Sequence, residues 1–355
     1  MQQREATSVL PVHCWNTAVS CLACLADSLS LDLPFEHVAG LSGEAFRLPL
    51  FANTTPGSWQ HSVSWPHAAL NWMESLGIDA EICWTDSAAA SSDNWHSRQR
   101  TLISETLGSG LPVMYWDNLA WSVILAEDAD SYLVSGIPAL HIPDGLPHAE
   151  ALRRRSFGAE GHGPDGAFRI PREELRPLFE GDQLFIHPRG LAASDPEYRL
   201  AMALARAANE LGGVVNWPRL VDSSGHRLGP LFGTAAMERL AMELKGGEPG
   251  LDGLISSMQT LLEMRRAALR WLSDLAAETE GELQPRLKQA AEFMRRIVAG
   301  LRPVAADFAL PADPRTQLRK ELLERNANAL YEVRRTEETL TRLLRGISGD
   351  FGVFS

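Results

Sequence analysis

The sequence predicts an α+β unit followed by an all-helical unit, with the change near residue 190. Three observations carry this reading. Short runs rich in β-branched and aromatic residues, separated by turn residues, fill the stretch between Ala80 and His187. Long segments with helical apolar spacing dominate after Pro196. Tryptophan marks the same boundary: eight of the ten lie at or before Trp121, and only Trp217 and Trp271 follow. The expected units are 1–190 and 191–355, which suits a chain of 355 residues at roughly 150 per domain.

In chain order, residues from about Asn16 to Ser28 read as a helix, apolar and alanine-rich, ended by a Ser/Asp cluster. Pro34 to Gly40 is a short helix closed by glycine. Another helix starts at Pro66, with proline in its first turn, and stops at Gly77. Strands are expected at Ala80–Trp84, Pro112–Trp116, Ser122–Leu125 and Tyr132–Val134, joined as an antiparallel meander. The last strand is Gln183–His187, ended by Pro188. Between them, Gly136 to Gly166 is Pro/Gly/His-rich and irregular, and Phe157–Gly163 reads as a surface loop. Helices follow at Glu197–Leu211, Thr234–Leu244, Leu251–Glu278, Pro285–Leu301 and Arg315–Leu344. In the last of these, Leu318, Leu322, Leu330, Val333 and Leu340 recur at helical spacing with charges between them, an amphipathic packing stripe. Such helices also offer a surface for homo-oligomerisation.

Composition narrows the function classes. The formal charge is -12, which repels phosphate backbones, so nucleic acid is not an expected partner. No apolar stretch approaches the roughly 20 residues that span a bilayer, and the N-terminus shows no basic region followed by an apolar one. No membrane association and a cytoplasmic location are therefore expected. Of the four cysteines, Cys21 and Cys24 form a C-x-x-C, but mid-helix and with no second pair, so buried reduced thiols are expected rather than zinc. His13, His37 and His61 lack tight spacing with carboxylates, and no phosphate-cradling glycine loop stands out, so no metal and no cofactor are expected.

Cys14 is the candidate for chemistry. It stands where the first helix should begin, with Asn16 and Thr17 as caps. A helix N-terminus stabilises a thiolate through its unpaired N–H groups and dipole. The position equally suits a small hydrophobe packed under the helix, and spacing alone leaves both readings open.

Several motifs carry a resemblance. His13-Cys14-x-x-Thr17-Ala18, then Gly40-Leu41-Ser42-Gly43-x-Ala45-Phe46-Arg47-Leu48, then Gly110-Leu111-Pro112-Val113, then Phe232 to Ala241, resemble the butirosin-biosynthesis acyltransferase family. That family is related to C39-like peptidases and so to the papain-like fold. The resemblance implies a cysteine opening a helix that packs on a small antiparallel sheet, a histidine from the sheet that activates the thiol, and a helical region fused behind. It implies an acyltransferase or amide-handling enzyme of natural-product type, acting on an acyl-carrier-bound or peptide-like substrate, with Cys14 as nucleophile.

The sequence departs from that pattern. The strand after Gly-x-Pro-Val should open with the histidine, but Asp117-Asn118-Leu119-Ala120-Trp121-Ser122 stands there, and Trp121 or a neighbour is expected to fill the place. The glutamine about six residues before the cysteine is replaced by Ser8. A general base is typically worth ~10²–10⁴-fold in rate. Substitutes are His61 and His67, flanking a Trp/Ser-rich loop, and His141; His13 adjoins Cys14 but diverges from it. Asp117 and Asn118 have turn chemistry as their simpler explanation. The alternative function is a non-catalytic binding or scaffold protein that kept a degenerate papain-like groove.

Overall fold

The computed structural model describes residues 4–5, 16–50, 65–85, 92–116, 121–136, 167–175, 183–213, 231–246, 251–308 and 319–351. The chain divides into two compact units, one of Met1–Val38 with Trp65–Ala193, the other of Ala39–Ser64 with Ser194–Ser355. The expected contiguous split at 190 is corrected in one respect. The segment from Ala39 belongs to the second unit, and the helix α2 (Phe35–Leu41) spans the division.

The first unit is α+β, built on one antiparallel sheet. Its strands are β3 (Ile78–Thr85), β4 (Val113–Trp116), β5 (Trp121–Glu127), β6 (Ser131–Gly136), β7 (Ala167–Pro171) and β8 (Gln183–Leu191). They lie in the order β3-β8-β4-β5-β6-β7, and a two-residue β1 (Arg4–Glu5) pairs with the end of β5. The expected meander is present in β4 to β6 and continues into β7, which the sequence did not suggest; β3 is not part of it, because β8 returns to sit between β3 and β4.

Pairing fixes which side chains share a face. Val113 lies opposite Ile124, Tyr115 opposite Phe185, and Cys83 opposite Phe185 from the other side. With Tyr132, Val134 and Ile170, these residues form one apolar core. The helix α4 (Asp93–Gly108) covers it through Ile103 and Leu107. The alternate residues, among them Met114, Trp116, Trp121, Val123 and Ile186, point to the other face. There lie α1 (Thr17–Ser28) and α3 (Trp65–Leu76). Helix α1 is buried at every residue from Ala18 to Ala26, as a helix apolar on all sides must be.

β8 runs past Pro188, where the sequence suggested a stop. Proline has no N–H to donate, but at that point β4 has ended and only β3 is adjacent, with a register shift between Asp79 and Ala80.

The second unit holds α5 (Pro196–Gly212), α6 (Gly233–Gly246), α7 (Leu251–Glu278), α8 (Leu283–Asp307) and α9 (Lys320–Asp350). The sequence expectation of an all-helical unit is corrected here: β2 (Pro49–Leu50) pairs antiparallel with β9 (Leu231–Phe232). Its segment 39–50 packs tightly among the helices. A Cβ on Gly40 would stand 2.2 Å from Trp271 Cδ2, so only glycine allows this approach. The Phe46 ring meets Trp271 edge-on at 5.7 Å. Arg265, 0% exposed, donates from Nε to Glu337 Oε1 at 2.8 Å and from Nη1 to the Ala45 carbonyl at 2.8 Å. Arg47 pairs with Glu210 at 2.7 Å and with Glu44.

Candidate functional site

Two of the residues the sequence singled out, Asn16 and Trp121, meet at the start of α1. Asn16 caps that helix: its backbone is extended, and its Oδ1 accepts from Val19 N–H at 3.3 Å. Thr17, the first helical residue, accepts at Oγ1 from the Trp121 N–H at 3.1 Å. The first turn of α1 is thereby tied to the first residue of β5. Trp121 lies across from Trp116 in the β4–β5 pairing, with ring centroids 5.7 Å apart. Trp72 of α3 meets it edge-on at 5.4 Å.

Trp121 is 1% exposed, and Trp72 and Trp116 are buried with it. These three rings fill the core. His67 sits in the first turn of α3 with its side chain exposed. Cys14, His13, His61, Asp117, Asn118 and His141 lie outside the described residues, as do Ser8 and the loop Phe157–Gly163. Of the candidates, the structure therefore brings together Asn16 and Trp121, through Thr17.

The local field at this helix end is simple. The first turn of α1 carries no acidic residue, so its partial positive charge is not offset there. The remaining thiols are of a different kind. Cys21, Cys24 and Cys83 are buried thiols that form no disulfide. Burial, with Asp27 adding to it, pushes the Cys24 thiol up to about 12. Cys83 is also raised, mainly by burial. A neutral thiol is a poor nucleophile and a poor metal ligand, so the C-x-x-C is a packing feature, as its mid-helix position suggested. Among the described residues no group of three His, Cys, Asp or Glu side chains is placed to hold a metal. No helix among them is long and apolar enough to cross a membrane.

A second polar cluster, missed from the sequence, lies on the opposite face of the sheet beneath α4. His187 of β8 is 2% exposed. Its Nε2 lies 3.1 Å from Gln99 Oε1 and its Nδ1 lies 3.3 Å from Thr106 Oγ1. Register places it on the face away from Trp121 and α1, so it cannot act as the base for a nucleophile at the head of α1. The only sequence signal was a histidine closing an apolar strand.

No protein-family model matches this chain, and no curated protein matches it.

Proposed function

We propose that the first unit is a papain-like, C39-like domain of the butirosin-acyltransferase type in which Cys–His catalysis has been lost, leaving a binding or scaffold role toward an acyl-carrier-bound or peptide-like partner. The observation that carries this is Trp121. It stands at the head of the strand that follows Gly110-Leu111-Pro112-Val113, where the resemblance calls for the activating histidine. Its indole is packed into the core and its backbone is bonded to the first turn of α1. A side chain held there fills the place a base would need. Apolar surface beside a thiol also disfavours the thiolate and raises its pKa.

A second reading, cysteine-dependent acyl transfer, is favoured by the N-terminus of α1, which has no acidic residue in its first turn and begins three residues after Cys14. It requires a base from outside the sheet: His61, His67 or His141.

Thiol labelling separates the two. Cys21, Cys24 and Cys83 are buried, so a Cys14→Ser variant supplies the blank. Labelling of Cys14 no faster than that of an ordinary thiol, with a midpoint at or above about 8.5, is the expected result. Rapid labelling at pH 6, lost in one of His61→Ala, His67→Ala or His141→Ala, overturns the binding reading in favour of acyl transfer.

A further inference from the structure

The two edges of the sheet are finished differently. β7, at one end, has five residues, with an exposed Arg169 and with Pro171, the devices that keep an edge from pairing further. β3, at the other end, has eight residues and neither proline nor lysine. Among the described residues its one strand partner is β8, so its far side presents a row of unpaired N–H and C=O groups. Only its first residues are blunted, by the exposed Asp79 and by the register shift between Asp79 and Ala80.

Pro188 decides which backbone groups point outward. It lies opposite Ala80 and has no N–H to exchange with it. Ala80 therefore turns its N–H and C=O away from β8, and with a period of two so do Ile82 and Trp84. The side chains of these three residues share the face of the sheet on which α3 packs. Trp84 is 49% exposed there, and α3 leaves Leu70 exposed as well. On the opposite face Glu81 is paired with Arg98 and Arg189, whose side chains are both more than half exposed.

We propose that this edge is a dimer interface, in which β3 pairs antiparallel with β3 of a second copy about a two-fold axis at Ile82. In that register Ile82 lies opposite Ile82 of the second copy and Trp84 lies opposite its Ala80. All three outward-facing residues of each strand find backbone partners, and the large ring meets a small side chain. Glu81 lies opposite Cys83 of the second copy, and the two Glu81 residues become diagonal neighbours, so each carboxylate stands near the arginines that hold the other. Pairing centred on Glu81 would oppose two like charges, and pairing centred on Cys83 would leave Ala80 without a partner in the strand. The occupant is a second copy because the edge is self-complementary. It carries its own acid, its own arginines and its own large and small apolar residues, and a two-fold contact closes, covering both exposed edges at once.

Sedimentation equilibrium of the full chain, from micromolar to submillimolar concentration, tests this. A monomer–dimer equilibrium is expected. Trp84→Lys enters the interface twice by symmetry and should weaken dimerisation about tenfold. Its circular dichroism should match the natural chain, because the side chain is exposed. A chain that stays monomeric overturns the proposal and leaves the edge to a strand of another protein. A dimer that Trp84→Lys does not weaken overturns it in favour of the C-terminal helices. Should Trp84→Lys fail to fold, cysteine crosslinking in a Cys14→Ser background decides. Ile82→Cys stands opposite itself across the axis and should give a covalent dimer on mild oxidation, while Asp79→Cys, far from its own copy along the strand, should not. Any other pattern of crosslinks overturns the β3 interface.

Discussion

At the scale of single residues, two positions define how tightly the chain is built. Trp121 opens β5, where the resemblance read from the sequence called for a histidine, and its burial between Trp72 and Trp116 makes it a core residue. The absence of a histidine there was legible in the sequence, because it is a matter of identity. The packing of the three tryptophans was not, since aromatic residues near a candidate site read as well for a groove wall as for a core. Gly40 was read as a helix stop, but its stronger constraint comes from Trp271, more than 200 residues later in the chain. Gly40→Ala puts a methyl group 2.2 Å from a ring that is itself buried and held by Phe46. Overpacking of this kind typically costs about 1–3 kcal/mol. The denaturant midpoint of the variant should fall accordingly, and an unchanged midpoint would show that Trp271 can move aside freely.

At the scale of elements, legibility followed the apolar pattern. Helix α1 was found because its residues are apolar on every side, and its start agrees with Asn16 as cap. Asn16→Ala should remove the bond to Val19 N–H and cost about 1 kcal/mol. Circular dichroism during denaturation reads that loss, and Asn16→Asp should restore most of it because aspartate caps equally well. Helix α4 was missed for the converse reason. Three of its buried positions are His96, Gln99 and Thr106, so the apolar periodicity that marks a surface helix is broken on the very face that packs. Its cap, Ser92 accepting from Trp95 N–H at 3.3 Å, was present in the sequence but lay in a serine-rich stretch that reads as loop. Strand β7 was missed because it stands alone behind an irregular Pro/Gly-rich stretch. Only its pairing with β6, Tyr132 opposite Ile170 and Val134 opposite Phe168, gives it a period to be read.

At the scale of the whole molecule, the sequence showed the change from sheet to helices near Pro196 but not the crossing of the segment 39–50 into the helical unit. Local pattern cannot show such a crossing, because it depends on partners far along the chain. The buried ions of that segment are one such case. Arg265 on α7 and Glu337 on α9 carry no sequence signal that sets them apart from other charges on those helices, yet both are 0% exposed and joined. Together with the Ala45 carbonyl they tie two helices to the inserted segment. Burying an ion pair costs desolvation that its attraction offsets only with good geometry, so its removal as a pair differs from the removal of one partner. Glu337→Leu leaves the Arg265 charge buried with a carbonyl as its remaining bonded partner, and should cost about 3–5 kcal/mol. Arg265→Met leaves the Glu337 carboxylate in the same position and should cost a similar amount. The double variant removes both charges and leaves chiefly the Ala45 carbonyl without its donor, a loss of about 1–3 kcal/mol. It should therefore be more stable than either single variant. Urea midpoints of the four proteins give the comparison, and a double variant whose loss equals the sum of the two single losses would mean that the pair is not coupled and that the inserted segment is held by packing around Gly40, Phe46 and Trp271 alone.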